Sequence, residues 1–302
     1  MENLGTFMNV LTDFGFKRMF GTEEFKPVLI RFLNVLFEPQ NIKVLDVKFH
    51  NKEVLPPNPD GKRIVYDVYC TSKDEKEHFV LEMQQEHHKH FEKRMMYYMS
   101  KALALQGVRG EDYDYSPVYG IFFVDFQFKH LCKKLLHDFG MRERNTHELF
   151  SNLLNMIIVC LEEVKDTWEE CNTELERMTF IIKNMHHMDK NSEAYKSKDY
   201  SDMFEAAEIG SFAAEDVVAY KQSVRAYEDR KLYFDSAYSD GYENGEAEGF
   251  AKGMEEGREE GREEGMEMGM EKGISIIAKK MLESGIDPNF ILQITGLAPG
   301  EY

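Results

Sequence analysis

The chain of 302 residues is 42% hydrophobic and 13% aromatic, enough apolar material for a sizeable core, which excludes disorder throughout. Its formal net charge of −18 argues against nonspecific nucleic-acid binding by the molecule as a whole, because that binding depends on Lys and Arg neutralising phosphates. Nearly all of the acidity lies beyond residue 130, so the N-terminal region does not carry that objection.

Thr12 and Asp13 are good helix caps before a stretch in which Phe16, Met19 and Phe20 recur at helical spacing. Leu29, Phe32, Leu33 and Leu36 continue that period after Pro27, which suits the start of a second helix, and Pro39 closes it. An extended pattern follows at 42–54 through Val44, Leu45, Val47 and Phe49. Pro56, Pro57, Pro59 and Gly61 make 56–61 a turn by composition. Strands are expected at 63–70 and 78–84, with a polar turn at 72–77 between them. A helix is expected at 89–107, ended by Gly107, and a buried strand at 117–126. The order α–β–β–β–α–β within residues 1–130 predicts a mixed α/β domain.

Residues 131–240 read as a helical region without strands, on the spacing of Leu149, Leu153, Leu154, Ile157 and Ile158, then Leu175, Met178, Ile181 and Ile182. From 241 to 273 a glycine stands at every fourth position without a miss. That spacing puts a small residue on nearly the same helix face each turn and lets another backbone approach closely. Each interior glycine costs roughly 1 kcal/mol relative to Ala, so such a helix needs a partner. A self-associating helix, and with it a homo-oligomer, is the expectation, and a flexible acidic linker is the alternative. Residues 274–302 read as a small helical end-piece of two short helices, 274–283 ended by Ser284-Gly285 and 288–294 ended by Thr295-Gly296. A helix-turn-helix reading would need a recognition helix after Gly296, where only 297–302 remain and no basic cluster occurs.

The four cysteines, Cys70, Cys132, Cys160 and Cys171, show no CxxC spacing, so neither a zinc ribbon nor a disulfide framework is indicated. The first residues carry no basic stretch before an apolar run, so no signal peptide is expected. The longest apolar runs, 118–126 and 153–161, fall far short of the about 20 residues of a membrane helix. A cytoplasmic protein with no membrane span is the expectation.

Two carboxylates interrupt apolar strands: Asp67 within Val65-Tyr66-Asp67-Val68-Tyr69, and Glu82 within Val80-Leu81-Glu82-Met83-Gln84. Side chains at i and i+2 share a strand face, so Glu82 and Gln84 point the same way, and Asp67 joins them if the strands are neighbours. Buried carboxylates are costly unless paired or metal-bound. Neither strand core offers a Lys or Arg, which points to a hard divalent cation, Mg²⁺ or Mn²⁺. Solvent-facing edge-strand positions are the competing reading. Arg94, Tyr97 or Tyr98, and Lys101 recur along one helix face, which suits a phosphate backbone or else a solvated surface. His87, His88 and His90 read as a solvated helix entry, and Cys70 as a small buried residue with no histidine placed as its base.

These residues carry a resemblance. Thr12-Asp13-Phe14-Gly15-Phe16-Lys17-Arg18-Met19-Phe20-Gly21, Glu53, Tyr66-Asp67-Val68-Tyr69-Cys70 and Leu81-Glu82-Met83-Gln84 come in that order. Arg94, Tyr97-Tyr98, Gln106-Gly107, Tyr113, Pro117-Val118-Tyr119, the glycine repeat and Ile294-Thr295-Gly296-Leu297 follow. In this the chain resembles the Rpn-type recombination-promoting nucleases, a transposase-like branch of the PD-(D/E)xK nuclease superfamily. The resemblance implies an αβββαβ nuclease core and Mg²⁺-dependent hydrolysis of DNA by an endonuclease linked to recombination or a mobile element. It assigns Asp67 and Glu82 to the metal, with Glu53 as an additional upstream acid, and puts Gln84 where the superfamily usually carries lysine. Gln supplies no charge, so a cation such as Lys17, Arg94 or Lys101 is expected to be borrowed. The alternative function is a non-cleaving nucleic-acid-binding or self-associating regulator with a nuclease-like domain. The implied layout is a nuclease-like domain at 1–130, a helical region at 131–240, the repeat at 241–273 and the end-piece at 274–302.

Overall fold

The structure, a computed structural model, describes residues 4–51, 53–54, 63–86, 89–107, 114–128, 131 and 133–302. The turn expected at 56–61, together with His87, His88, Tyr113 and Cys132, lies outside these residues.

Helix α1 (Asp13–Phe20) starts where Thr12 caps it, its hydroxyl accepting from the Gly15 N–H at 3.1 Å and donating to the Asn9 carbonyl at 2.8 Å. Phe16, Met19 and Phe20 are its buried face. A Cβ on Gly15 would lie 2.1 Å from the Asn9 carbonyl oxygen, so only glycine lets the cap close this tightly. Helix α2 (Lys26–Phe37) has Pro27 in its first turn and buries Val28, Leu29, Phe32, Leu33, Leu36 and Phe37.

Strands β1 (Val47–Phe49), β4 (Val68–Ser72) and β5 (His78–Gln84) pair antiparallel in sequence. A separate two-stranded pair, β2 (Glu53–Val54) with β3 (Ile64–Val65), stands just before β4. The single strand expected at 63–70 is therefore broken at Tyr66 and Asp67. Helix α3 (Phe91–Ala104) crosses from β5 to β6 (Val118–Val124), and the two strands run parallel.

Past residue 130 the structure corrects the sequence reading. Strands β7 (Leu136–Arg142) and β8 (Leu149–Cys160) extend the sheet to six strands in the order β1-β4-β5-β6-β8-β7. The boundary expected at 130 thus falls inside one sheet. Strand β8 runs parallel to β6 and is covered on both faces over its second half, so its apolar residues form a run rather than an alternation. Such a run fits a helical period equally well, which is why 149–161 reads as helix from sequence.

The sheet has two covered faces. Phe79, Leu81 and Met83 of β5 pack in a large cluster with α1, α2, α4 (Glu174–Asn184) and α6 (Ser201–Ala207). Val80 turns the other way and packs with Phe91, Met95, Met99 and Ala102 of α3. Gly120 in β6 lets α3 sit down, because a Cβ there would come within 2.7 Å of the Met99 side chain. Glu82 and Gln84 share the parity of Val80, so the sheet aims both toward α3.

The described chain divides into two compact units, Met1–Lys231 and Leu232–Tyr302. Helix α5 (Glu193–Lys196) belongs to the first, and helix α7 (Ala214–Glu283) contributes to both. In the second unit the glycines from 241 to 273 stand on α7 with no other atom near their would-be Cβ positions. The repeat is thus helical rather than a linker. Helix α8 (Pro288–Thr295) follows a turn through Gly285, and Asp287 caps it by accepting from the Asn289 N–H at 2.8 Å. Ala278 and Ile291 are the buried apolar residues of this unit.

Candidate active site

Asp67 sits at the entrance of β4, where Val68 pairs with Leu81 of β5. That register brings Asp67 beside Glu82. The Asp67 main-chain N–H donates to Glu82 Oε1 at 3.1 Å, and the Asp67 carboxylate accepts from the Met83 N–H at 2.9 Å. The two acids are therefore locked to one another through opposite strands. Glu82 is 4% exposed, and Asp67 keeps a side-chain exposure of 20%. Both line an open cavity of about 270 Å³ with Asp13, Val65, Gln84, Gln85, Arg94, Tyr98 and Arg230.

Burial pushes the Glu82 carboxyl well above the ordinary carboxylate range, and the neighbouring Asp67 charge adds to that rise. The Asp67 N–H, Arg94 and Lys17 pull the other way without overcoming it. Two adjacent carboxylates, one buried and aimed into a cavity, fit a divalent cation, whose charge would let both ionise. Among the described residues no group of three or more His, Cys, Asp or Glu can hold a metal ion alone. Mg²⁺ suits such a sparse set, since it takes one or two carboxylates and completes its shell with water and phosphate oxygens.

Around this pair the structure gathers some of the expected residues and not others. Arg94 of α3 donates to Gln84 Oε1, so the helix is tied to the end of the strand that carries Glu82 and Gln84. Lys17 Nζ lies 3.7 Å from Asp67 Oδ1 and hydrogen-bonds Asp13. Burial works against its charge, but the Asp13 hydrogen bond and the fields of Asp67, Asp13 and Glu82 outweigh that and raise its pKa. Lys101 stands two turns beyond Arg94 on α3, its ammonium 5.8 Å from the Tyr97 ring centroid, and does not line the cavity. Glu53 does not line it either, and its carboxylate meets the Arg63 guanidinium at 2.7 Å.

A family profile described as PD-(D/E)XK nuclease family transposase matches residues 10–237, about three quarters of the chain. The chain belongs to that family. A second profile, Rpn/YhgA-like nuclease family, C-terminal HTH domain, matches residues 276–301. Neither a curated protein nor a solved structure matches.

For this family member the second profile corrects the reading of 274–302 as a plain end-piece. The sequence reading looks for a recognition helix after Gly296, whereas the profile begins inside α7. The end of α7 is the first helix of the motif, 284–287 is the turn, and α8 is the second helix.

Among the cavity residues of this nuclease-family chain that escape sequence reasoning are Asp13, Gln85, Glu86 and Arg230. Asp13 reads as a helix cap, yet it lines the cavity and holds Lys17. Arg230 of α7 donates to Gln85 Oε1 at 2.9 Å, and Gln85 in turn donates to the Leu11 carbonyl. Residues 145 apart in sequence leave no local signal for such a contact. Asp13, by contrast, stands one turn before Lys17, and that spacing is a signal for the pair.

Proposed function

We propose that the chain is a metal-dependent endonuclease that hydrolyses DNA phosphodiester bonds, in recombination or for a mobile element, with Mg²⁺ as its ion and Mn²⁺ as a substitute. The observation that carries this reading is the Asp67/Glu82 pair: a buried carboxyl with a raised pKa, hydrogen-bonded across the strand pair to a second acid, inside a cavity. Asp67 and Glu82 would hold the ion, which would supply positive charge to offset the negative charge growing on the phosphate and to acidify the attacking water.

The other residues follow from chemistry. With Oε1 taken by Arg94, Gln84 has its amide N–H groups to offer a water or a phosphate oxygen. Lys17, kept protonated by its acidic neighbours, provides the cation that Gln84 does not. In the transition state water attacks phosphorus, the bond to the leaving oxygen breaks, and that oxygen takes up a proton. Arg94 and Lys101 would hold backbone phosphates on either side of the cut. Glu53, held by Arg63, is assigned no place at the ion.

The helical glycine stripe supports pairing with a second copy along α7, giving a homo-oligomer. No helix among the described residues is long and apolar enough to cross a membrane. A cytoplasmic site of action fits an enzyme whose Cys70 and Cys171 are free thiols buried in the fold.

Incubation of purified protein with circular single- and double-stranded DNA, with Mg²⁺ or EDTA, tests the reading. Cutting in Mg²⁺ alone is expected, and cutting that persists in EDTA would overturn it.

A further inference from the structure

Beside the acidic cavity lies a larger cleft of about 690 Å³ that hydrolysis itself leaves without a task. Arg63, Lys89, Lys93, Arg94, Tyr97 and Tyr98 line it, and no described carboxylate does. Arg94 and Tyr98 also line the acidic cavity, so the two spaces adjoin at the Asp67/Glu82 pair. One is acidic and suits a metal ion. The other is cationic and suits a polyanion.

Aromatic rings make this cleft more than a basic patch. Tyr98 is anchored: its ring stands edge-on to Tyr66 at 5.6 Å, and its carbonyl accepts from the Tyr66 hydroxyl at 3.0 Å. Arg94 lies 5.8 Å from the Tyr98 ring centroid. Tyr97 is half-buried next to it, with the Lys101 ammonium 5.8 Å from its ring. Arg63 is steadied by Glu53. The result is a pair of rings on neighbouring positions of one helix, bordered by cations. In a perfect duplex the base faces are hidden in the stack, so a protein meets phosphates and groove edges. Aromatic side chains take a base by its face only when that base is unstacked.

We propose that this cleft receives unpaired nucleobases adjoining the scissile phosphate, so that the preferred substrate is a single strand or a duplex with unpaired bases at the cut. The position of the cut rests on the nuclease reading, while occupation of the cleft does not need cleavage. Lys89 and Lys93 neutralise the phosphates of the bound strand, Tyr97 takes a base face, and Arg94 links the strand to Gln84 at the reacting centre.

The test is a binding titration of the full chain in EDTA, with a short oligonucleotide carrying the fluorescent base 2-aminopurine. The probe is presented as a single strand, as an unpaired bulge in a duplex and as a perfect duplex, in DNA and RNA versions that separate the two sources of unpaired strand. Binding should quench the fluorescence of the single strand and the bulge, and the single strand should bind at least about tenfold more tightly than the perfect duplex. Tyr97→Ala should remove the quenching and weaken single-strand binding about tenfold, while Tyr97→Phe keeps both. Lys93→Ala should weaken single-strand binding and reduce its salt dependence by about one phosphate contact. Equal affinity for the perfect duplex, unchanged quenching in Tyr97→Ala, or no binding of any probe would overturn the proposal. Quenching as described, in a protein that cuts nothing in Mg²⁺, would support the cleft and count against the nuclease reading.

Discussion

Asp67 and Glu82 hold each other across the β4–β5 pair, the main-chain N–H of Asp67 donating to Glu82 and the Asp67 carboxylate accepting from the N–H that follows Glu82. Each acid is thereby positioned in part by the other's strand. The arrangement keeps two like charges adjacent in a partly dry cavity, which is destabilising to the metal-free protein and favourable to an ion that neutralises both.

That conflict has a pH signature. The Glu82 pKa is raised in the folded chain, from an unfolded value near 4.5. Between those two values the folded state binds a proton that the unfolded state has released, so this group's contribution to stability falls as pH rises through the window. In EDTA, Glu82→Gln should therefore melt at nearly the wild-type temperature close to pH 4.5 and increasingly above it as pH rises. Mg²⁺ should raise the wild-type Tm, more so at higher pH where no proton must be displaced, and leave Glu82→Gln unmoved. A pH-independent gap between the two proteins would show that Glu82 ionises freely.

Lys17 stands 3.7 Å from Asp67, and its loss should be felt in turnover rather than in folding. Lys17→Ala is expected to lower kcat by about 10²-fold, the usual loss on removing one electrostatic stabiliser of a transition state, with Lys17→Arg retaining part of the rate. Wild-type turnover in Lys17→Ala would move the missing charge elsewhere.

Gln84→Lys tests whether position 84 stands where the superfamily usually carries lysine. Alone, the new ammonium would face the Arg94 guanidinium that now bonds Gln84, so its benefit should emerge on an Arg94→Ala background. There Gln84→Lys should raise the rate above that of Arg94→Ala alone. Complete loss in a folded double variant would count against the placement.

Much of this fold is readable from sequence where one face of an element is buried and the other is not. Phe16, Met19 and Phe20 mark α1 in that way, and the break between Tyr66 and Val68 aside, the strands carrying Asp67 and Glu82 stand where their β-branched and aromatic residues suggest. Leu153 to Cys160 fails for the opposite reason, since a strand covered on both faces has no alternation to read. At the site, the shared face of Glu82 and Gln84 follows from period two alone. The approach of Lys17 to Asp67 and of Arg230 to Gln85 does not, because only the tertiary packing of α1 and α7 creates them. Glu53 shows the converse: a candidate on resemblance whose carboxylate the local β2–β3 pairing delivers to Arg63.

Gly15 ties fold to site, because α1 carries both Asp13 and Lys17. Gly15→Ala would force its new methyl group against the Asn9 carbonyl and should destabilise by about 1–3 kcal/mol, the range for overpacking. Urea unfolding followed by circular dichroism measures it. A loss of activity larger than the loss of folded protein is expected, since the helix must shift to relieve the contact. An unchanged midpoint would mean the cap region yields freely.

The glycine stripe makes a separate prediction. Residues 241–273 hold eleven Glu against four Lys or Arg, so parallel in-register copies would repel, and antiparallel pairing would bring Arg258 and Arg262 near glutamates. Light scattering should report an oligomer, and replacing Gly253, Gly257 and Gly261 with Leu should disperse it even though each change favours an isolated helix. A wild-type chain that stays monomeric at high micromolar concentration would end this part of the account.

Asp67 and Glu82 are proposed to hold together the ion that drives hydrolysis. The decisive measurement is the rate of circular-DNA cutting across a Mg²⁺ titration for the wild type, Asp67→Ala and Glu82→Ala, each shown by circular dichroism to be folded. A saturating Mg²⁺ dependence is expected in the wild type, and no cutting by either variant at any Mg²⁺ concentration. Cutting at the wild-type rate by either variant would remove that residue from the ion.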